Sequence, residues 1–294
     1  MNSFSKTIKP FHVIQSNMIV KACSSVRLPF EPKGWMIDFR STLRSAVSKL
    51  SLEGGALHAK YGSVNGTDFA DTENVLFYNV GASAFSNIAS NEILFERLSP
   101  ELTKSHISSL PYGDHNYAFF YSYEVVSAGQ HHLQYQDDLI AEWKDVKISK
   151  PSSVHKPLHY WRTLHNNPAA VSIYAQRAVY QPFGLDISFT APKSEETNLT
   201  AIMKPMLDGV ICAFHSYKEP LDSSFDVIKA YLNCPRENLI NLEFGILGKE
   251  KYVYEYRNGI KWNPNDDRCN KVRLSVQYCN TNDWSFSGKV FMMQ

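Results

Sequence analysis

The chain lacks a long hydrophobic run, a disulfide framework and the common catalytic signatures. No apolar stretch approaches the ~18 to 20 residues that span a bilayer, and residues 1–6 lead into no signal-peptide core. These absences set the expectation of a cytoplasmic protein with no membrane partner. Five cysteines, Cys23, Cys212, Cys234, Cys269 and Cys279, are odd in number and scattered, which suits reduced thiols in that compartment rather than bridges. Also missing are G-x-x-x-x-G-K-[ST], G-x-G-x-x-G after a strand, H-E-x-x-H, G-x-S-x-G and paired C-x-x-C. Their absence argues against the common nucleotide-binding and zinc-protease classes, while leaving other enzymes open.

Net charge is scarce too, at +1 over 294 residues, but its layout is uneven. Residues 1–50 hold eight Lys and Arg against two acids, giving +6; residues 51–150 hold six against thirteen, giving −7; the remaining sixteen against fourteen give +2. Arg40, Arg44 and Lys49 lie on the polar side of the first expected helix, with Lys21, Arg27 and Lys33 nearby. Two readings stand: an anion-binding face for nucleic acid or an acidic protein, or a basic segment that solvates a helix or packs beside the acidic middle of its own chain.

Periodicity organises what is present. Phe39, Leu43, Ala46, Val47 and Leu50 follow helical spacing, which predicts a helix over 38–50 with Asp38 as N-cap. Period-two patterns predict strands over 56–61, 74–80, 116–126 and 131–136. The breaker-rich segment 150–157 is the best linker, and 169–180 and 184–191 read as further strands. A helix follows over 198–214, kinked or begun at Pro205, and another over 222–232. Strands are expected at 239–246, 252–257, 260–262, 271–278 and 285–292, with Asn258 and Gly259 favouring a type I′ hairpin turn. The fold class is therefore α+β, mainly antiparallel sheet with a few helices, in an N-terminal half over 1–150 and a C-terminal half over 158–294. A doubly wound parallel sheet is not expected, because strands and helices do not alternate regularly.

Several constellations carry chemistry. Cys212 and His215 have metal-ligand spacing on a helix, with Cys234 near in sequence, but no second pair completes a structural zinc site. His131 and His132 point to opposite faces of a strand. Asp114 and His115 follow a turn, and Glu142 and Lys144 downstream of Asp114 satisfy the Glu-x-Lys letter pattern of restriction-nuclease cores. Asp71 and Glu73 precede a buried-looking strand, and carboxylates two apart on a strand point the same way, as a metal site requires. Lys204 and Asp208 lie four apart on one helix face, as an ion pair or as part of a site. Together Asp71, Glu73 and Asp208 are candidate ligands for Mg²⁺ or Mn²⁺, with Lys204 neutralising a phosphate. Aromatic residues at 117–123, and Tyr252, Tyr254 and Tyr256 on one face of a hairpin strand flanked by Lys249, Lys251 and Arg257, are either stacking platforms or core packing.

The segment from Leu185 to Asp208, a strand, a proline, a polar loop and a helix with Lys204 and Asp208, resembles the RusA-type Holliday-junction resolvases. In that family an Asp-x-Asp-Asn motif stands immediately ahead of a Lys-x-x-x-Asp helix. In this register the two metal-binding aspartates fall on Asn198 and Thr200, so the resemblance, about 24 of 294 residues, transfers no catalytic assignment. Two functions from different classes follow from the residues. One is a binding or interaction protein that contacts nucleic acid or an acidic partner through the basic helix and the aromatic hairpin. The other is a metal-dependent phosphodiesterase, or nuclease, built on Asp71, Glu73, Asp208 and Lys204.

Overall fold

In the computed structural model of the chain, residues 9–293 are described apart from 52–54, 67, 69, 86–90, 112–115, 130–137, 153, 155, 175–180, 218–224, 242–243, 249–250 and 258. The chain divides into two compact units, Met1–Gln130 and His131–Gln294.

The first unit contains β1 (Phe11–Gln15), β2 (Ile19–Ser24), α1 (Trp35–Val47), β3 (Gly55–Ser63), β4 (Glu92–Leu98), α2 (Pro100–Ser108) and β5 (Phe119–Ser127). Its strands lie in the order β1-β2-β5-β3-β4, and every pairing is antiparallel except the parallel pair β3 and β4. Parallel neighbours need a crossover, and the link from β3 to β4 supplies it with a π-helical turn, Asn74–Tyr78, that buries Val75, Leu76 and Phe77. A strand was expected there; a short apolar run has the same composition in a buried strand and a buried helical turn, so periodicity alone does not separate them. Both faces of β5 are covered. Tyr121 and Tyr123 are wholly buried on one side, where Tyr121 meets Phe39 of α1 with ring centroids 5.6 Å apart. On the other side Phe120 stacks on His106 of α2 at 5.0 Å. The aromatic residues of β5 are thus core. Helix α1 starts earlier than expected, with Gly34 as N-cap and Asp38 inside the first turn.

The second unit contains β6 (Asp138–Ile148), α3 (Pro157–His165), β7 (Val171–Ile173), β8 (Phe183–Pro192), α4 (Leu199–Ala213), α5 (Phe225–Leu232), α6 (Arg236–Leu239), β9 (Val253–Tyr256), β10 (Gly259–Trp262), β11 (Cys269–Cys279) and β12 (Trp284–Met292). Five of its strands lie in the order β11-β8-β12-β6-β7, with β11 and β8 parallel and the other pairs antiparallel. The sheet in both units is therefore mixed but antiparallel-rich, a refinement of the expected mainly antiparallel class. The units also share a strand plan: the last strand (β5, β12) runs antiparallel between the opening strand pair and the third strand (β3, β8), whose parallel neighbour is the fourth (β4, β11). They differ in which member of the opening pair abuts the last strand, β2 in one and β6 in the other.

Other expectations shift for local reasons. The breaker-rich stretch ends in Pro157, which occupies the first turn of α3, where proline lacks only a donor that would be unbonded anyway. Ser99 and Pro100 start α2 in the same way, the Ser99 hydroxyl accepting from the Leu102 N–H. The strand expected over 239–246 is replaced by the end of α6 and turns at 244–246. Of 169–180, only Val171–Ile173 forms a strand among the described residues. The strand expected over 131–136 lies outside them.

Helix α4 organises the second unit. Its N-cap Asn198 accepts from the N–H groups of Thr200 and Ala201 at 3.0 and 3.3 Å, and ten of its residues, from Leu199 to Ala213, are buried around nearly the whole circumference. Such a helix must be enclosed, and α3 encloses one side by packing closely at Gly209. A Cβ there would lie 2.3 Å from the Pro157 carbonyl oxygen and 2.9 Å from the Tyr160 Cβ. Beyond the helix end, His215 is buried, as is His165 of α3, which stacks on Trp161 at 4.0 Å. Desolvation pushes the His165 imidazole down to about 4, partly offset by a bond to the Ala213 backbone, and holds His215 at about 3.

Two outcomes test this core. Gly209→Ala should destabilise the protein by roughly 1–3 kcal/mol in chemical denaturation, despite alanine's better helix propensity, because the contacted atoms are backbone and Cβ and cannot swing away; a stabilised variant would contradict the close crossing. The two histidines make stability fall as pH drops. The unfolded chain takes up their protons as pH falls through about 6.5 while the folded chain does not until about 4 or lower, and only well above about 6.5 do they contribute no pH dependence. His165→Phe or His215→Gln should each reduce the pH slope of unfolding free energy between about 6 and 4.5 by close to one proton, measured by urea titration at several pH values.

Candidate functional site

The acidic and lysine candidates divide between the units: Asp71 and Glu73 belong to the first, Lys204 and Asp208 to the second. Asp71 stands at the head of the π-helical turn. Its carboxylate accepts from Asn74 and its carbonyl from the Val75 N–H at 3.1 Å. Glu73 is within the helical turn and only 1% exposed. The strand geometry that would have pointed both carboxylates the same way is therefore absent. Asp71 lies just outside the helical residues, and its carboxylate and that of Glu73 nonetheless bring oxygens within 4.8 Å of each other.

In the second unit Lys204 and Asp208 form the i, i+4 ion pair that their spacing allows, Nζ to Oδ1 2.9 Å. Lys204 also donates to Asp266, a carboxylate only 7% exposed from the 3-10 turn Asp266–Arg268. One ammonium thus bridges two carboxylates, one on the helix and one on the 3-10 turn. Asp266 was not among the sequence candidates, since it lies 62 residues from Lys204 and carries no motif that ties them. Cys212 follows one turn after Asp208. Its thiol donates to the Tyr252 carbonyl at 3.8 Å, and burial, then the charges of Asp208 and Asp266, push its proton affinity well above the ordinary thiol range. It is a core thiol and not an activated nucleophile.

Helix α4 ends at Ala213, so His215 does not continue the face that carries Cys212. Among the described residues Cys212, His215 and Cys234 do not gather as a metal-binding set, which removes the zinc-like spacing. Glu142 accepts from Lys144 at 2.9 Å and from the Tyr174 hydroxyl, so the Glu-x-Lys string is engaged in its own surface contacts. Asp114, His115, His131 and His132 fall outside the described residues.

The basic helix is only partly free. Arg40 Nε and Arg44 Nε donate to the same Val80 carbonyl at 3.3 and 3.1 Å, and Arg40 Nη1 donates to the Phe30 carbonyl at 3.2 Å. Gly81 follows with φ of 115°, and a Cβ there would strike the Arg44 guanidinium. Arg27 pairs with Asp68, a local meeting of the basic segment with the acidic middle. Lys49 remains exposed.

The tyrosine stripe separates into two parts. Tyr252 is fully buried, its ring 5.9 Å from His215 and 6.1 Å from Tyr217, and burial raises its phenol well above the usual range. Tyr254 and Tyr256 lie on β9, which pairs with β10 so that Tyr254 opposes Lys261 and Tyr256 opposes Gly259. This register pairs Gly259 with Tyr256 as a strand residue, where a turn residue was expected, and Arg257 adopts a φ of 52°. Asn258 itself lies outside the described residues. Lys261 Nζ stands 5.8 Å from the Tyr254 ring and 5.9 Å from the Tyr256 ring, and the Arg257 guanidinium stands 5.1 Å from Tyr256. Tyr256 is 48% exposed, and Tyr231 of α5, 40% exposed, lies against Gly259. Lys261 was missed in the sequence reading because its value depends on hairpin register, where a shift of one residue changes faces. Lys251 turns elsewhere, over Tyr217 at 5.9 Å, and Lys249 lies outside the described residues. No family model, curated protein or solved structure matches the chain, so its functional reading rests on these residues alone.

Proposed function

We propose that the chain is a binding protein for single-stranded nucleic acid and that the outer face of the β9–β10 hairpin is its contact surface. The observation that carries this reading is the grouping of Tyr254 and Tyr256 with Lys261 and Arg257 on an exposed hairpin. Single strands are held without sequence preference by two chemistries, stacking of bases on aromatic rings and neutralisation of phosphates by cations. The hairpin offers both within one side-chain layer. Cation–π contact restrains the long Lys261 and Arg257 side chains beside the rings, which reduces the ordering cost of binding. The acidic Glu255 lies between the two tyrosines in sequence and so points to the opposite face of the strand.

A labelled single-stranded oligonucleotide followed by fluorescence anisotropy tests the proposal. Tyr254→Ala with Tyr256→Ala should weaken binding tenfold or more, given about 1–3 kcal/mol per stacked base, while leaving the thermal midpoint near that of the parent. Affinity should also fall as salt rises, through counterion release. Absence of binding, or a loss that merely follows a lowered midpoint, would count against the hairpin as a platform.

A further inference from the structure

We infer that the groove along α3 is a second site, for a phosphate-bearing small molecule. The groove is open-sided, offers about 460 Å³, and is lined by Lys147, Lys156 and Arg162 with the polar His159, Thr163 and Asn166. Among the described residues its lining contains three cations and no carboxylate. This arrangement leaves positive charge to be met from outside, since like charges gathered in one concavity raise the local potential for an anion.

The three cations differ in what already holds them. Lys156 has no ion pair among the described residues. Lys147 reaches Asp283 at 2.9 Å, but both side chains are largely in water, so that pair is weak and readily exchanged. Arg162 is the fixed element. Its Nη2 donates to the Leu232 carbonyl of α5 at 3.0 Å, which holds the guanidinium in place, while Nη1 has no hydrogen-bond partner among the described residues. A guanidinium anchored on one nitrogen and open on another is prepared for a phosphate oxygen at little ordering cost. His159, Arg162 and Asn166 recur at i, i+3 and i+7 and so occupy one helix face, with the His159 ring near Ser149 at 3.5 Å. The short cluster of three cations suits a diphosphate or a nucleoside phosphate better than an extended polyanion, which would follow a longer stripe.

Inorganic pyrophosphate is the probe, titrated calorimetrically into the full chain. Saturable binding at one site is expected, together with a rise in the thermal midpoint. Lys147→Ala with Lys156→Ala should weaken that binding at least tenfold while the thermal midpoint without ligand is retained, because both side chains are exposed. Arg162→Lys should weaken it as well, since an ammonium does not reproduce the fork. Tyr254→Ala with Tyr256→Ala should leave pyrophosphate binding intact, which separates this site from the hairpin. No heat or midpoint shift up to about 10 mM, weaker than any useful affinity, would overturn the proposal. So would binding that survives the double lysine variant unchanged.

Discussion

A helix that is apolar around almost its whole circumference has no side to give to water, and α4 imposes that constraint on the second unit. Burying such a surface is favourable by about 25 cal/mol per Å² of apolar area, but only if neighbours approach without gaps. Gly209 allows α3 to come close enough for the Pro157 carbonyl to lie against the helix backbone. The parallel strands β8 and β11 follow from the same demand, because the chain must leave β8, enclose α4 and return in the same direction. The few polar groups on α4 are correspondingly confined. Lys204 and Asp208 share one stripe, and Asp266 arrives from a turn to complete the pair's neighbourhood. Charges so placed are held by one another, since leaving any one of them buried without a partner would be costly.

The first unit meets the crossover requirement with less chain. A π-helical turn carries the apolar residues Val75, Leu76 and Phe77 inward, and the turn's following carbonyl, Val80, receives two arginines from α1. Hydrogen bonds from charged donors are worth about 1.5–3 kcal/mol, so much of the positive charge in the first fifty residues acts within the unit. An excess of charge in a segment therefore does not by itself identify a docking face. Lys33 and Lys49 stay exposed in the first unit, while in the second the exposed cations gather on the hairpin and along α3.

Much of the fold was legible wherever a pattern was long. The helix through Phe39, Leu43 and Val47, the strand through Tyr121 and Tyr123, β8, α4 and the terminal strands follow from periodicity over ten or so residues. Short apolar runs were ambiguous, as at 74–80, and helices opened by a proline at the first turn read as breakers, as at Pro157. The candidate site was legible to the same degree. The Lys204 and Asp208 pair is a helix-spacing rule, and Tyr254 and Tyr256 follow from alternation. Asp266 and Lys261 were invisible because their partners are chosen by a distant turn and by hairpin register. Tyr252 has the same parity as Tyr254, yet it precedes β9 and turns into the core beside His215, so alternation does not extend to it.

Composition and spacing alone determined the α+β class, the apolar faces of the long elements and the pairs that lie within one helical turn, because these depend on chain-local geometry. Tertiary structure decided which strands run parallel, which tyrosines remain outside, and which cations stay open to a ligand. Those outcomes depend on contacts between residues far apart in the chain, where burial and register, rather than residue type, set the environment of each side chain.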